Sequence, residues 1–210
     1  KLDIFELVYF ARPDSYIYGQ RVAKTRANFG RALAEVHGPI YKDTSNVVVA
    51  PVPDTSMKAA EAYAEALKLP YRNAVIKNRY IDRTFLHGIK GEITKLLHLK
   101  HSMISEDVEG KDLILIDDSI VRNNTMPVLV ALARACGVKS VSVLIASPPV
   151  RFPDFYGINT PDQRELAAAN MSIDQLQQAI GCDYLGFLPL SKLIEATGQP
   201  LGKFTVSCFT

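Results

Sequence analysis

The chain has 210 residues, a length that suits one ordinary domain. Apolar residues make up 48% of it and charged residues 22%, a globular composition with enough apolar mass for a sizeable core and unlike that of a disordered or fibrous chain. Lys and Arg number 24 against 22 Asp and Glu, and the resulting charge of +2 removes the bulk electrostatic case for nucleic acid and for an acidic solvating tail. Leu2–Ala11 is apolar enough for a strand, and Arg12-Pro13-Asp14-Ser15 reads as a polar turn. From Gly19 to about Val36 the spacing predicts a helix, with Val22, Phe29, Leu33 and Val36 as its apolar stripe and Gly38-Pro39 as its close. Val47–Val52 is a short unbroken apolar run of the kind a buried parallel strand needs. Pro53-Asp54-Thr55-Ser56 separates it from a helix over Met57–Leu69, where Met57, Ala60, Ala64 and Leu67 recur at helical spacing.

Arg72 to Lys111 differs. It holds Lys77, Arg79, Arg83, Lys90, Lys95 and Lys100 with broken apolar periodicity, and is expected to be an extended or mobile surface region. Leu113–Ile116 is again a buried-strand run, followed by Asp117-Asp118-Ser119. A helix is predicted from close to Thr125 and Pro127, through Val128, Leu129, Leu132 and Ala133, to Gly137. Val141–Ala146 supplies another strand, Ser147-Pro148-Pro149 a stiff break, and Glu165–Ala169, Ile173–Ile180 and Ser191–Ala196 short helices. Strands alternating with amphipathic helices indicate a doubly wound α/β sheet. No repeat, low-complexity tract or Pro/Gly-rich linker divides the chain. No apolar run approaches the roughly 18 residues of a membrane span. Cys136, Cys182 and Cys208 form no close pair, which points to a reducing compartment and a cytoplasmic protein.

In such a sheet, ligands collect at the carboxyl ends of the strands. Asp117 and Asp118, directly after a buried run, can hold sugar hydroxyls or reach a divalent cation through water. The turn beyond them leads into a helix whose free N–H groups favour a phosphate, with Ser119 and Thr125 as added hydroxyl donors. The same acids would equally make a plain turn and helix cap. Asp54, Thr55 and Ser56 could bind a second anion or ligate a metal, or simply start a helix. Together the two loops suit a substrate with phosphate at both ends, for which Lys77, Arg79, Arg83 and Lys100 could supply countercharge. No P-loop, dinucleotide fingerprint, zinc signature or nucleophile elbow is present.

Several stretches then combine: Phe5-Glu6 with Tyr9-Phe10-Ala11-Arg12-Pro13-Asp14-Ser15, Val52-Pro53-Asp54-Thr55-Ser56, and Lys77-Asn78-Arg79-Tyr80 with Arg83-Thr84-Phe85. Asp117-Asp118-Ser119-Ile120-Val121-Arg122, Ser147-Pro148-Pro149 and Phe155-Tyr156-Gly157-Ile158 complete the set. With them the chain resembles the phosphoribosyltransferase part of the amidophosphoribosyltransferase family. The resemblance implies the type I phosphoribosyltransferase fold, a central mainly parallel sheet flanked by helices with a small hood from the terminal segments. It implies that Asp117 and Asp118 contact the ribose hydroxyls of 5-phosphoribosyl 1-pyrophosphate. Ser119, Ile120, Val121, Arg122, Asn123, Asn124 and Thr125 match the turn around the 5′-phosphate, and Asp54, Thr55 and Ser56 the loop near pyrophosphate and magnesium. Ser56, Asp117 and Asp118 are then the candidates for contact with Mg²⁺. Lys77 through Phe85, with Arg79, Tyr80 and Arg83, match the start of a flexible closing loop over about 77–102, and Lys100 lies near its end. Arg79 and Lys100 join the acid pair as catalytic candidates. The reaction implied is attack of ammonia on the anomeric carbon, giving 5-phosphoribosylamine and pyrophosphate in purine biosynthesis, by a homo-oligomer.

The chain departs from the family pattern in four respects. Nothing in it resembles the amino-terminal glutaminase domain, so glutamine use is expected to need a separate or missing glutaminase. Asn123-Asn124-Thr125 stands where the family has Gly-Thr-Thr. Ile93 and His98 replace arginines of the closing region, with His87, Lys90 or Lys95 nearby as possible compensation. Asp3, Asp154, Thr205 and Cys208 occupy the positions of the four cysteines of the iron–sulfur branch, and no iron–sulfur cluster is expected. His37, His87, His98 and His101 show no recurring metal-ligand spacing. Two other readings stay open: a weakly active or non-catalytic binding or interaction module, and a phosphoribosyltransferase with a changed acceptor.

Overall fold

Residues 1–38, 41–78, 101–154 and 162–210 are described by the computed structural model. The chain opens with β1 (Leu2–Asp3), a π-helical turn over Glu6–Phe10, and a hairpin of β2 (Tyr16–Ile17) and β3 (Gln20–Arg21). Then come α1 (Val22–His37), β4 (Val47–Pro51), α2 (Met57–Leu67) and β5 (Val75–Lys77). The next elements are β6 (His101–Met103), α3 (Ser105–Val108), β7 (Asp112–Asp117), α4 (Met126–Ala135) and β8 (Ser140–Ile145). The chain closes with α5 (Ala167–Asn170), α6 (Ile173–Ile180), β9 (Tyr184–Phe187), α7 (Leu190–Thr197) and β10 (Phe204–Thr205).

The apolar runs behave as a parallel sheet requires. β4, β7, β8 and β9 pair in that order, all parallel, with Ala50 opposite Leu115 and Leu115 opposite Val143. Because side chains alternate along a strand, each run feeds two cores. Val47, Val49, Ile114, Ile116 and Leu144 pack with Phe29 and Leu33 of α1, Ala60 of α2 and Leu193 of α7. Val48, Ala50, Leu113, Leu115, Val143 and Ile145 face the other way, onto Leu129 and Ala133 of α4 and Leu176 of α6. This is the expected α/β architecture, a parallel sheet with helices on both faces. No helix among the described residues is long and apolar enough to cross a membrane.

Three expectations are corrected. Leu2–Ala11 is not one strand: only Leu2 and Asp3 pair, in parallel with Phe204 and Thr205, before the chain turns helical. Ile4, Phe5, Leu7 and Val8 are buried while Tyr9 and Phe10 are exposed, a spacing that suits a helical turn and not an alternating strand. Val36 leaves the α1 stripe and is exposed. The 72–111 stretch is ordered at its flanks, where β5 and β6 pair antiparallel with Lys77 opposite His101. Residues 79–100 lie outside the described residues.

Helices α1 and α2 meet closely at one point. A Cβ on Gly30 would overlap the Ala59 carbonyl and stand 2.8 Å from the Ala59 Cα. The obstacle is backbone and cannot rotate away, so Gly30→Ala is expected to cost on the order of 1–3 kcal/mol or more in urea unfolding. Gly202→Ala, which meets nothing within 4 Å, should stay within about 0.5 kcal/mol of the parent.

The chain ends meet in a two-stranded parallel pair whose residues join the core on the α1 side of the sheet. Thr205 accepts a bond from the Ile4 N–H (3.1 Å), and the Cys208 carbonyl accepts from Arg151 and Phe152. Asp3 Oδ1 takes the Phe5 N–H at 3.0 Å. Burial, then the neighbouring Asp154 and Glu6, push the Asp3 carboxyl above its ordinary range. A carboxyl raised in the folded state is protonated more readily there than in the unfolded chain, so its charged form weakens the fold at neutral pH. Asp3→Asn keeps the Oδ1 acceptor, and is expected to raise stability at pH 7 by an amount that shrinks as pH falls towards the usual carboxylate range. Denaturant titrations of both proteins across that range measure the difference.

Candidate functional site

The acids come from the end of the central strand. Asp117 is the last residue of β7, and Asp118 follows it into the turn. The end of β4 runs alongside, where the Val52 N–H donates to the Ile116 carbonyl at 2.9 Å. That extension brings the 54–56 loop against the acids. The Thr55 hydroxyl donates to Asp118 Oδ2, and the Ser119 hydroxyl to Asp118 Oδ1 at 2.6 Å. The Asp118 N–H caps Asp117 Oδ1 at 2.8 Å. From the β5–β6 pair, Lys77 Nζ reaches Asp54 at 3.4 Å and also acts on Asp117.

Both acids are pushed up. For Asp117, burial and then the Asp118 charge hold the carboxyl well above the ordinary range, against the opposing pull of the Asp118 N–H and Lys77. Burial also raises Asp118, offset by the Ser119 and Thr55 hydroxyls and by Arg26. Such a pair is costly when empty and favours a ligand that brings hydroxyl donors or a cation.

The turn beyond is built on buried and paired anchors. Ile120 is buried, the Val121 carbonyl accepts from the Ala167 N–H at 2.9 Å, and Arg122 pairs with Glu165 at 2.7 Å. Asn123 adopts φ +56°, the left-handed conformation that its amide side chain tolerates better than most. Its carboxamide oxygen is buried with no hydrogen-bond partner among the described residues. Asn124 is exposed, and Thr125 caps α4 without a side-chain bond, with Pro127 in the first turn. The first-turn N–H groups of α4 therefore have no intrahelical partner and suit an anion.

The structure thus gathers Asp54, Thr55, Lys77, Asp117, Asp118 and Ser119 around one point. Ser56 sits in the same loop but is 1% exposed, its hydroxyl donating to the Val52 carbonyl. Arg79, Tyr80, Arg83 and Lys100 lie outside the described residues, as do His87, Lys90, Ile93, Lys95 and His98. Arg26 escaped the sequence reading. It is 4% exposed, at the start of α1, and acts electrostatically on Asp118. The signal was its place on the Val22, Phe29, Leu33 stripe, where a charged residue must find buried partners. A cleft of ≈ 300 Å³ between α1 and α7 shares no residue with the acid site, and there Lys192 pairs with both Glu35 and Glu195.

Metal chemistry divides in the same way. The carboxylate oxygens of Asp117 and Asp118 fit Mg²⁺, which binds through one or two carboxylates plus water and substrate phosphate. Among the described residues no group of three or more His, Cys, Asp or Glu is placed to hold a metal unaided. Where the chain ends meet, Asp3 stands opposite Thr205, and Asp3 and Asp154 both act on Cys208. One thiol, pushed up by burial and by those acids, does not fit a cluster that takes four thiolates. His37 is bound on both ring nitrogens, to the Tyr184 hydroxyl and the Phe187 carbonyl, each at 2.9 Å.

No family model matches the chain. It is 40% identical to the amidophosphoribosyltransferase of Methanothermobacter thermautotrophicus over 205 residues, 98% of this chain and 42% of that protein. The amidophosphoribosyltransferase of Synechococcus elongatus is 39% identical over 209 residues, covering all of this chain and 41% of that one. Among solved structures, the glutamine phosphoribosylpyrophosphate amidotransferase of B. subtilis, complexed with ADP and GMP, superposes with a TM-score of 0.85 at 38% identity, over 99% of this chain and 46% of that chain. A structure described as the allosteric regulatory enzyme of purine biosynthesis gives a TM-score of 0.86 at 39% identity, over 99% of this chain and 44% of that chain. The chain spans about two fifths of the length of the curated relatives it matches. By sequence and by fold it is a member of the amidophosphoribosyltransferase family over the phosphoribosyltransferase portion that it spans.

Proposed function

We propose that the chain transfers an amino group from ammonia to 5-phosphoribosyl 1-pyrophosphate, giving 5-phosphoribosylamine and pyrophosphate. The observation that carries this reading is the acid pair of half-buried Asp117 and buried Asp118 facing the Asp54–Thr55 loop and Lys77, followed by a turn into the N-terminus of α4. In this reading the ribose hydroxyls donate to Asp117 and Asp118, which fixes the sugar at the strand end. Backbone N–H groups of the Ser119–Thr125 turn and of the first turn of α4 take the 5′-phosphate. Lys77 and the Thr55 hydroxyl face the pyrophosphate. Ammonia attacks the anomeric carbon as a free base, the bond from that carbon to the pyrophosphate oxygen breaks with its electron pair going to pyrophosphate, and the new ammonium nitrogen gives one proton to water. Ammonia is already a nucleophile, so the chain's task is positioning rather than base catalysis. Mg²⁺ held by Asp117 and Asp118 would offset charge on the leaving group.

Calorimetry with Mg²⁺ and 5-phosphoribosyl 1-pyrophosphate should show binding that Asp117→Asn and Asp118→Asn each weaken about 10- to 100-fold, the range of a lost charged hydrogen bond, with the far-ultraviolet dichroism unchanged. Pyrophosphate release should require ammonium and not respond to glutamine alone. Glutamine-driven release by the pure chain would refute the nitrogen source.

One observation favours the second reading, a binding module with little turnover. The buried, unpartnered oxygen of Asn123 lies in the turn that has to meet a phosphate. An acceptor there repels an anion until the carboxamide turns over or moves out. Asn123→Gly with Asn124→Thr is expected to tighten substrate binding, and parallel initial rates separate affinity from chemistry. Tighter binding with no turnover selects the binding module. Unchanged binding removes the turn as the limiting feature.

A further inference from the structure

The Ser119–Thr125 turn is fastened on one side by a short platform late in the chain. Three successive residues of the turn reach that platform by three kinds of contact. Ile120 is buried in one apolar cluster with Ala167 and Ala168. The Val121 carbonyl accepts from the Ala167 N–H at 2.9 Å. Arg122 lays Nε and Nη2 on one oxygen of Glu165, both at 2.7 Å. Asn123 follows and turns the chain with its φ of +56°. The platform is itself closely tied. A 3₁₀ turn over Gln163–Glu165 begins at Asp162, whose carboxylate takes the Arg164 N–H at 2.9 Å. At the end of α5 the Asn170 carboxamide nitrogen gathers the carbonyls of Gln163 at 3.0 Å, Arg164 at 3.2 Å and Leu166 at 2.7 Å.

We propose that Glu165 is a positioning residue for the 5′-phosphate: by holding the Arg122 guanidinium it fixes the first half of the Ser119–Thr125 turn, so that the backbone N–H groups beyond are set before a phosphate arrives. The proposal rests on the site reading above. It also changes the part played by Arg122. A guanidinium with its fork open to a phosphate would be a direct anion ligand. Here the Nε–Nη2 edge is already given to a carboxylate, and the pair offers an anion no net charge. Arg122 therefore serves the phosphate through the backbone it anchors. Both partners are about half exposed, and an ion pair of that kind adds little to stability. Its effect falls on where the turn sits, not on whether the sheet folds. Arg122 is the last tether before the left-handed residue, and a loose turn at that point has to be ordered by the ligand at the expense of affinity.

Calorimetry of the whole chain with Mg²⁺ separates the phosphate end of the site from the pyrophosphate end. Glu165→Ala is expected to bind ribose 5-phosphate about 5- to 30-fold more weakly than the parent, within the span of coupling between residues in contact, and to bind inorganic pyrophosphate equally well. Glu165→Gln keeps an oxygen for the guanidinium and should recover part of the loss. The urea midpoint of both variants should stay at that of the parent. Unchanged binding of ribose 5-phosphate overturns the proposal. So does tighter binding, which makes Glu165 a competitor for a phosphate-binding Arg122. Equal losses for both probes make the pair a general support and overturn it too. A second measurement needs no ligand. Amide hydrogen exchange at short labelling times should speed up in Glu165→Ala at Ser119–Thr125 and not at Leu113–Ile116 of β7. No change at the turn, or an equal rise in the strand, overturns the proposal as well. If the parent binds neither ribose 5-phosphate nor 5-phosphoribosyl 1-pyrophosphate, the substrate reading fails, while hydrogen exchange still decides whether Glu165 holds the turn.

Discussion

Two neighbouring carboxylates at the end of a strand, one buried and one half-buried, repel each other and lose much of the water that would screen them, so the surrounding structure must supply what water no longer does. The means are distributed over the whole fold. The chain's own next N–H caps Asp117, the Thr55 and Ser119 hydroxyls take both oxygens of Asp118, and Lys77 and Arg26 bring charge. Each donor depends on a different packing decision. Thr55 arrives because β4 continues past its last apolar residue against β7, and Lys77 because β5 and β6 pair beside it. Arg26 is held by the carbonyls of Leu7, Tyr9 and Ala11. Loss of any of these contacts therefore reaches the acids without touching them.

The opposite end of the sheet shows what a fully satisfied acid looks like. Asp112 opens β7 and is as buried as Asp118, but it accepts from Lys139 at 3.1 Å and from the Ser140 hydroxyl at 2.6 Å. The Tyr41 hydroxyl meets Ser140 and Ser142 just behind it. Those bonds lock the strand starts. Along one six-residue strand the chain thus has an inert acid at the amino end and a strained pair at the carboxyl end. That asymmetry locates chemistry in a parallel sheet: helix N-termini and loose loops gather at the carboxyl ends, where an unsatisfied group can wait for a ligand.

Much of this was legible in the residues. Four- to six-residue apolar runs at Val47, Leu113 and Val141 have few ways to be buried, and Ile173–Ile180 carries a Ser172 capping box that marks its start. The acid pair stood out because charge after such a run is costly. Legibility failed where tertiary contacts override local pattern. Leu2–Ala11 is mostly apolar, interrupted only by Asp3 and Glu6, so composition could not tell a strand from the helical turn that Arg26 holds by its carbonyls. Tyr184–Phe187 is short, carries a glycine, and becomes a strand only because β8 offers an edge. Ser56 looked like a site hydroxyl, yet its bond to Val52 closes the turn between β4 and α2. Arg26 itself was hidden by its type, since an arginine in a helix is usually solvated.

The Asn123 turn shows how far scaffold and site can separate. A residue at φ +56° strains most side chains, and asparagine is among the few that bear it, so replacing a glycine there leaves the backbone path intact. The α4 helix still starts at Met126, and the sheet has no contact to lose. What changes is the surface offered to an anion. A bare backbone lets N–H groups approach a phosphate closely, and a carboxamide oxygen in that space presents an acceptor to an acceptor. The fold has no means of sensing this cost, because it falls due only when a phosphate arrives. On the proposed function, substitution in this turn would alter phosphate capture while every strand, helix and core contact stays in place.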